Sequence, residues 1–341
     1  MERTKPIIGI TMGDAAGIGP EIVAKILADP RLWAEARPLV IGDVRVMAEA
    51  LPLAKAELRL RPIASVRETS FEEGSVDVLD IPVLRGHAIE KGRADPKCGE
   101  ASVAFVRHAC QLALNGDIHA TTSAPVNKEA MHLAGYDYGG QTEIFAEICQ
   151  VKDYAMMLVS GNLRLLFVTN HLPLKEVSGK IKKERVYAVI KLAYDALRLQ
   201  QSEPPRIAVA GLNPHAGDGG LLGREEIDEI IPAITQAQAE GMSTIIGPVA
   251  PDTVFRGVLD GKYDAVVSMY HDHGCTAMKL LGFQQIVTVL VGMPIIRTSV
   301  GHGTAYDIAG RGMADPTNLL EAALLAVRMA KDRIDSGVGS R

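Results

Sequence analysis

The chain has 341 residues, of which 47% are hydrophobic and 4% aromatic, and its formal net charge is −5. This length predicts about two domains, and the lack of a basic excess argues against nucleic acid as a partner. No apolar run approaches the roughly 18 residues of a membrane span, and the N-terminus lacks the apolar segment of a signal peptide, so we expect a soluble, cytoplasmic protein. Four cysteines without a C-x-x-C pair predict neither a zinc ribbon nor a disulfide framework.

Short β-branched runs alternate with helical patterns along the whole chain, which predicts an α/β fold built on mixed, largely parallel sheets. The predicted strands are 7–11, 39–41, 76–79, 118–122, 156–159, 165–169, 207–210, 265–269 and 286–290. Helical periodicity is clearest at 101–115, 183–199, 225–238 and 318–333. The pair Gly161-Asn162 separates two apolar runs and predicts an antiparallel hairpin.

No linker rich in proline or serine marks a domain boundary, so two domains would have to share a continuous core or exchange segments of the chain. We place the exchange points near residues 137 and 304. The first α/β/α domain would then comprise 1–137 and 305–341, and the second would comprise 138–304.

A glycine-rich segment follows the first predicted strand. Gly13, Gly17 and Gly19 precede Pro20, which suits the first turn of a helix. Their spacing matches neither G-x-G-x-x-G nor the Walker pattern, which argues against a standard Rossmann site and against ATP chemistry. One interpretation is a purely structural turn, and the other is a ligand site in which free backbone N–H groups near Asp14 face a cleft.

Three histidines, His171, His215 and His271, each follow an apolar strand run. Ligands of open α/β sheets collect outside the carboxyl ends of strands, so these imidazoles can converge there. Three neutral imidazoles suit Zn²⁺, with Mg²⁺ or Co²⁺ as alternatives, and leave coordination positions open for substrate and water. A histidine satisfied within its own loop is the alternative for each. Four other histidines do not follow such a strand, and we interpret them as structural: His87, His108, His119 and His132.

Charged residues near these segments are further candidates. Asp272 and Asp252 could orient a ligating imidazole or serve as general base, or they could be a helix cap and a surface charge. Lys279 and Arg297 are isolated cations in apolar surroundings. A buried cation needs an anion, which either a ligand carboxylate or phosphate or a protein carboxylate would supply.

Five segments together resemble the PdxA family of 4-hydroxythreonine-4-phosphate dehydrogenases and its relatives that act on phosphorylated sugar acids and dihydrodiols. They are 11–21 (TMGDAAGIGPE), 124–128 (APVNK), 213–217 (NPHAG), 269–272 (MYHD) and 297–305 (RTSVGHGTA). The segment 302–316 also resembles the adenosine-binding loop of isocitrate and isopropylmalate dehydrogenases.

The resemblance implies an isocitrate dehydrogenase-like homodimer with a shared active site in the interdomain cleft, the second domain carrying the metal and the dimer contacts. It places the metal ligands on His171, His215 and His271, the last of these from the neighbouring subunit. It places the substrate's anionic end against Thr142, Lys279 and Arg297. NAD or NADP would bind without a Rossmann motif, and the cofactor-binding candidates are Gly13, Asp14, His302, Gly303, Thr304, Ala305 and Asp307. Lys128 is a further catalytic candidate that could orient cofactor or substrate.

Four positions depart from the family pattern. Gln141 replaces a histidine before the substrate-binding threonine, Thr288 replaces an asparagine, Gly301 replaces an aspartate and His273 stands where glutamine is common. Gln141 keeps hydrogen-bonding capacity but cannot become cationic, and Thr288 is shorter than asparagine, so both reshape the substrate pocket.

The predicted reaction is NAD(P)-linked oxidation of 4-phosphohydroxy-L-threonine to 2-amino-3-oxo-4-phosphooxybutanoate, followed by decarboxylation, as in pyridoxal phosphate biosynthesis. D-threonate or D-erythronate 4-phosphate and an aromatic cis-dihydrodiol are alternative substrates. A metal-dependent hydrolase and a metabolite-binding protein are the alternatives outside redox chemistry, because three histidines can also generate hydroxide from water.

Overall fold

The computed structural model describes residues 5–72, 74–199, 203–282 and 286–336. No helix in this part of the chain is long and apolar enough to cross a membrane. The chain divides into two compact units, the first formed by Met1–Lys152 with Met293–Arg341 and the second by Asp153–Gly292.

The strands, in chain order, include all nine that the sequence predicts. They are β1 (Ile7–Thr11), β2 (Arg37–Gly42), β3 (Arg59–Ile63), β4 (Ser75–Asp80), β5 (Ala120–Ser123), β6 (Ala155–Ser160), β7 (Leu163–Phe167), β8 (Ile207–Ala210), β9 (Ile245–Val249), β10 (Ala265–Ser268), β11 (Val287–Val291) and β12 (Arg297–Val300). Three further strands, β3, β9 and β12, were not predicted from the sequence. Proline interrupts β3 and β9, and β12 is a short run of mostly polar residues, so none shows a clear apolar pattern.

The helices, in chain order, include the four predicted from periodicity. They are α1 (Gly19–Leu27), α2 (Pro30–Glu35), α3 (Val44–Ala50), α4 (Pro96–Asn115), α5 (Lys128–Leu133), α6 (Gln141–Cys149), α7 (Leu174–Lys180), α8 (Lys183–Arg198), α9 (Ile231–Ala239), α10 (Val254–Leu259), α11 (His271–Gly282) and α12 (Thr317–Asp335). A π-helical turn, Glu226–Ile230, precedes α9. Pro20 lies in the first turn of α1, as predicted.

The first unit contains a parallel sheet in the order β3-β4-β2-β1-β5-β12. Helix α12 packs against β5 and β12, and the hydroxyl of Thr298 on β12 donates to the Ala322 carbonyl of α12. Because successive side chains of a strand point to opposite faces, Arg297 and Ser299 face away from α12. The side of the sheet opposite α12 therefore carries Arg297 and Ser299 of β12.

The second unit contains a mixed sheet in the order β11-β6-β7-β10-β8-β9. Strands β6 and β7 pair antiparallel across Gly161-Asn162, which confirms the predicted hairpin, and β11 pairs antiparallel with β6. Strands β7, β10, β8 and β9 are parallel. The fold class predicted from the sequence, α/β with mixed and largely parallel sheets, is therefore confirmed.

The structure divides the chain at positions other than the predicted exchange points near residues 137 and 304. Helix α6 belongs to the first unit because it packs against α4, and β12 belongs there because it pairs with β5. The contacts that decide unit membership are made by α6 and β12 themselves, and a single sequence does not show them.

Candidate functional site

The three strand-end histidines follow three adjacent parallel strands of the second unit. His171 follows β7, His271 follows β10 and His215 follows β8, and the sheet order places β10 between β7 and β8. The carboxyl ends of parallel strands meet at one edge of a sheet. The topology therefore brings the three histidines to the same edge.

Two of these imidazoles lie close together. The ring centroids of His171 and His271 are 5.3 Å apart. Nδ1 of His271 lies 2.8 Å from Oδ1 of Asp272, and because a carboxylate only accepts hydrogen bonds, this contact places the ring proton on Nδ1. Nε2 of His271 then presents a lone pair, and it lies 3.3 Å from the Cys275 sulfur. Asp272 is exposed and orients this imidazole, which is the role usual for a carboxylate beside a metal-ligating histidine.

His215 lies in a turn of unusual backbone conformation, here called the left-handed turn, which spans His215 to Gly219. All five residues have positive φ, with 54° at His215, 54° at Ala216 and 43° at Asp218. This conformation costs about 1–2 kcal/mol for each residue other than glycine. Such a turn persists only where its surroundings hold it.

The donor chemistry of this edge fits a divalent metal ion, although one chain does not complete a site. Within the described ranges, no three His, Cys, Asp or Glu side chains form a group that could hold a metal. Each chain contributes His171 and His271 at this edge, and because Nδ1 of His271 is bonded to Asp272, Nε2 is its electron-pair donor. Neutral imidazole nitrogens are ligands that Zn²⁺ prefers.

His273 connects the end of β10 to the loop that carries Asp252. Its Nε2 donates to the Pro251 carbonyl at 2.9 Å, and its Nδ1 lies 3.1 Å from the Ser268 hydroxyl. Burial lowers the pKa of His273, so the neutral imidazole is favoured. Asp252 itself is exposed, and His273 fixes the backbone immediately before it.

The first unit contains a buried polar layer around Arg297. This side chain is only 3% exposed, and its guanidinium lies over the ring of Phe145 at 5.3 Å from the centroid. Burial lowers the pKa of Arg297 to about 10. Five buried polar atoms of the described residues in this layer have no hydrogen-bond partner: Thr11 Oγ1, Thr121 Oγ1, Ser123 Oγ, Gln141 Oε1 and Arg297 Nε.

Gln141 closes one side of this layer as the first residue of α6. It lies one helical turn before Phe145, and its Nε2 donates to the Ala124 carbonyl at 3.0 Å. The amide is thus committed to the backbone and leaves Oε1, an acceptor, for a ligand. Thr142 follows at the N-terminal turn of α6 and is half-buried.

The cofactor-binding candidates of the first unit lie in loops that contact one another. The Asp14 amide donates to the Pro125 carbonyl at 2.9 Å, and the Ile18 amide donates to the Thr304 carbonyl at 3.0 Å. Gly13 has a φ of 74°, and a Cβ there would lie 2.5 Å from the Pro125 oxygen. The chain can pass this point only with glycine.

Asp14 is buried in the centre of these loops. Its Oδ1 accepts from the Ala16 amide at 2.8 Å, and its Oδ2 accepts from the Tyr306 hydroxyl at 2.7 Å. Burial raises the pKa of Asp14, while the two hydrogen bonds oppose that shift. Lys91 donates to the Ala15 carbonyl at 2.7 Å and thereby secures the same segment.

The remaining cofactor candidates form the segment before and around Tyr306. Ala305 has a φ of 41°, and His302 bonds through Nδ1 to the Gly303 carbonyl at 2.9 Å. Asp307 is exposed, and so is Gly303. These residues lie beside the Gly13 segment through the Thr304 contact.

The other candidates are more scattered. Lys279 is exposed on α11, so the expectation of a buried cation is wrong at this position, because α11 buries the neighbouring Met278 instead. Thr288 is buried on β11, in the second unit. Lys128 is exposed at the start of α5, near Gly140, where a Cβ would lie 3.9 Å from its Cε.

Three of the histidines interpreted as structural have local partners. His87 contacts Asp95 at 2.9 Å, His108 contacts the Ala104 carbonyl, and His119 accepts from the Ile7 amide. Tyr306, Phe145 and Glu226 were not predicted from the sequence as residues of a site. The carboxylate of Glu226 is buried beneath the left-handed turn, and a buried glutamate has no signature in composition or spacing.

The family profile described as "Pyridoxal phosphate biosynthetic protein PdxA" matches residues 34–326. The chain belongs to this family. It is 43% identical over 327 residues to a "Putative D-threonate 4-phosphate dehydrogenase" of Symbiobacterium thermophilum, covering 96% of this chain and 97% of the relative. It is 41% identical over 331 residues to a "4-hydroxythreonine-4-phosphate dehydrogenase" of Desulforapulum autotrophicum, covering 97% of each.

Solved structures agree with this assignment. The crystal structure of a 4-hydroxythreonine-4-phosphate dehydrogenase from Klebsiella pneumoniae has a TM-score of 0.88 and 40% identity, covering 96% of this chain and all of that one. A terephthalate 1,2-cis-dihydrodiol dehydrogenase from Burkholderia xenovorans is more distant, with a TM-score of 0.67 and 29% identity, covering 95% of this chain and 98% of that one. The predictions of the family and of a dehydrogenase acting on CH–OH groups are confirmed.

Proposed function

We propose that this PdxA-family chain oxidises the secondary alcohol of a four-carbon hydroxy acid 4-phosphate with NAD or NADP. Its substrate would be 4-phosphohydroxy-L-threonine, oxidised to 2-amino-3-oxo-4-phosphooxybutanoate, or D-threonate 4-phosphate. Relatives named for each substrate occur at 41–43% identity, so overall similarity does not separate the two.

The buried guanidinium of Arg297 carries the argument for a phosphorylated acid. No ion pair to Arg297 occurs among the residues that the structure describes, and its Nε lacks a partner. A desolvated cation is costly unless an anion compensates it. Phosphate or carboxylate oxygens would also satisfy the hydroxyls of Thr121 and Ser123, which lie on the same face of the sheet.

The metal-binding residues in this proposal are His171, His215 and His271, with the third histidine supplied by the partner subunit of a homodimer. When bound, the divalent ion would supply positive charge that lowers the pKa of the alcohol, and NAD(P) would supply the hydride acceptor. Asp272 accepts from Nδ1 of His271 and so makes Nε2 the electron-pair donor of that ring, and we therefore assign Asp272 an orienting role. Asp252 is the remaining carboxylate candidate for taking the alcohol proton.

The cofactor would bind on the loops joined by Asp14 and Tyr306. Gly13 lets its loop pass close to the backbone of Ala124 and Pro125, whereas Gly303 in the adjoining loop is exposed and has nothing within 4 Å of its Cβ position. A glycine with open space beside it permits close approach of a ligand to the backbone, as in phosphate- and nucleotide-binding turns. Lys128 remains a candidate for orienting cofactor or substrate from the start of α5.

The deciding experiment is NAD⁺ and NADP⁺ reduction, followed at 340 nm, by the Zn²⁺-, Mg²⁺- or Co²⁺-loaded protein. The substrates are 4-phosphohydroxythreonine, the 4-phosphates of D-threonate and D-erythronate, and a carboxylated cyclohexadiene diol. We expect turnover of a four-carbon phosphate and none of the diol. Turnover of the amino acid phosphate would place the chain in pyridoxal phosphate biosynthesis, whereas turnover of a sugar-acid phosphate alone would assign it a catabolic role. Turnover of the diol alone would contradict the proposal.

A variant tests the metal ligands separately. We expect His215→Ala to fold but to lose bound metal and activity together. His108→Ala, which removes a histidine that bonds to the Ala104 carbonyl of its own helix, is the matched control and should retain both. Full activity of a metal-free His215→Ala protein would contradict the assignment.

A further inference from the structure

We propose that Glu226 is a positioning residue that holds His215 in its metal-binding orientation by securing the left-handed turn. This inference rests on the proposed metal site. Glu226 lies in the π-helical turn before α9, eleven positions after His215 and outside the strand-end pattern that identifies the histidines. Turns of this π-helical kind occur frequently at functional sites.

The Glu226 carboxylate accepts hydrogen bonds from the residues that precede the left-handed turn. Its Oε1 accepts from the backbone amides of Leu212 and Asn213, at 2.8 Å each. Its Oε2 accepts from Nδ2 of Asn213 at 2.9 Å. The side chain is only 1% exposed, so water does not replace these bonds. Removing the carboxylate would leave buried donors without an acceptor, which is strongly unfavourable.

A second carboxylate, that of Glu225, also accepts a hydrogen bond from the Asn213 side chain. Glu225 accepts from Nδ2 of Asn213 at 2.8 Å and from the Ser178 hydroxyl of α7. These two hydrogen bonds keep the pKa of Glu225 below its usual value. Asn213 is thus held between two glutamates, two residues before His215.

The Glu226 side chain also packs directly against the turn. A Cβ on Gly217 would lie 2.7 Å from Oε2 of Glu226, and a Cβ on Gly211 would lie 3.2 Å from Oε1. Both glycines therefore make room for this carboxylate. The turn contains three non-glycine residues with positive φ, a conformation they adopt only under external restraint.

The consequence for His215 follows from its place at the beginning of the turn. Its own φ of 54° fixes where its Cβ points, and relaxation to negative φ would redirect the imidazole. Residues that orient a metal ligand typically change metal affinity about 10- to 100-fold when they are mutated. Glu226 would exert this effect without touching the metal or the substrate.

The test measures the affinity of the purified full-length protein for Zn²⁺ and Co²⁺, in the oligomeric state that it adopts in solution. Binding is measured by calorimetry and, for Co²⁺, by visible absorption, which reports coordination geometry. Glu226→Gln keeps the side-chain volume but turns one acceptor oxygen into a donor that faces Nδ2 of Asn213. We expect about 10-fold to 100-fold weaker binding and an altered Co²⁺ spectrum. Glu226→Ala should weaken binding at least as much.

Glu229→Gln is the matched control. Glu229 lies in the same π-helical turn but accepts from Nζ of Lys182 and from the Lys183 amide, both at the start of α8. This variant should bind metal as the wild type does. If Glu226→Ala does not fold, Glu226→Gln alone decides the question.

The outcomes separate this inference from the proposed function. Wild-type affinity and an unchanged Co²⁺ spectrum in folded Glu226→Gln would overturn the positioning role while leaving the metal site intact. Equal losses in Glu226→Gln and Glu229→Gln would also overturn it, because the effect would then belong to the whole turn. If the wild type binds neither ion, or if His215→Ala binds them with the affinity of the wild type, the proposed metal site is overturned and this inference with it.

Discussion

The hydroxyl of Tyr306 donates a 2.7 Å hydrogen bond to the buried carboxylate of Asp14, although 292 positions separate the two residues in the chain. This bond joins the loop after β1 to the segment around Thr304, which a second contact, from the Ile18 amide to the Thr304 carbonyl, holds in place. Two segments proposed to bind the cofactor are thereby fixed relative to each other.

Tyr306→Phe should weaken both the fold and cofactor binding. The substitution leaves Oδ2 of Asp14 without this donor in a buried setting, at a cost of about 1–3 kcal/mol in the free energy of unfolding. Urea denaturation and the dissociation constant for NAD(P) measure the two effects. Tyr138→Phe is the control, because the Tyr138 hydroxyl bonds to Glu147 at the surface. Unchanged cofactor affinity in Tyr306→Phe would contradict a role in the cofactor site.

Asp14 should make stability depend on pH in a definite direction. Burial raises its pKa in the folded state above the reference value of 3.8, so between these two values the folded protein binds more protons than the unfolded chain. The free energy of unfolding therefore falls as pH rises through this window, by about 1.4 kcal/mol for each unit of raised pKa.

Asp14→Asn removes that titration. The stability of the variant relative to the wild type should increase as pH rises above 3.8 and become constant above the folded-state pKa. Urea denaturation at a series of pH values measures the difference. Asp117→Asn, at an exposed aspartate, is the control. A difference between Asp14→Asn and the wild type that does not change with pH would show that Asp14 has no raised pKa.

The sequence was sufficient to predict the elements with strong periodicity. Helices α4, α8 and α12 and the hairpin between β6 and β7 were found because their apolar spacing or turn residues are local signals. Strands β9 and β12 were missed, since Gly-Pro interrupts one and polar residues dominate the other. Strand order is not encoded in spacing, so the adjacency of β7, β10 and β8 had to come from the structure.

The candidate site also contains residues that local sequence signals predict and residues that only the structure reveals. His171 and His271 were predicted as site residues from their position after apolar runs, and the structure places their rings 5.3 Å apart. Arg297 was expected to be buried and is, whereas Lys279 is exposed because an apolar sequence neighbourhood does not reveal which face of a helix a residue occupies. Glu226 bonds to residues 13 to 14 positions away and Tyr306 to a residue 292 positions away, and neither separation is a spacing that a single sequence reveals.

Gly13→Ala should destabilise the protein by more than the conformational penalty alone. Gly13 and Gly74 both have a φ of 74°, but a Cβ at Gly13 would lie 2.5 Å from the Pro125 oxygen, whereas nothing lies within 4 Å of one at Gly74. The free energy of unfolding of Gly74→Ala should therefore fall by about 1–2 kcal/mol, the cost of the left-handed conformation. Gly13→Ala should lose more stability, and its NAD(P) affinity should fall. Equal losses of stability in the two variants would show that the backbone near Pro125 yields without cost.

Arg297→Met should weaken substrate binding and stabilise the folded protein. Methionine fills the space beside Phe145 without a buried charge, and replacing a desolvated ionic group by an apolar one is often stabilising, by about 1–4 kcal/mol where ion pairs were replaced. The same change removes the cation proposed to bind the substrate's anionic group, so KM should rise at least 10-fold while the melting temperature also rises. Arg297→Lys keeps the charge but loses the planar, forked donors, and it should raise KM without the gain in stability. A rise in melting temperature with an unchanged KM would mean that the anionic group binds elsewhere, and a fall in melting temperature would mean that the guanidinium already has a compensating partner in the folded protein.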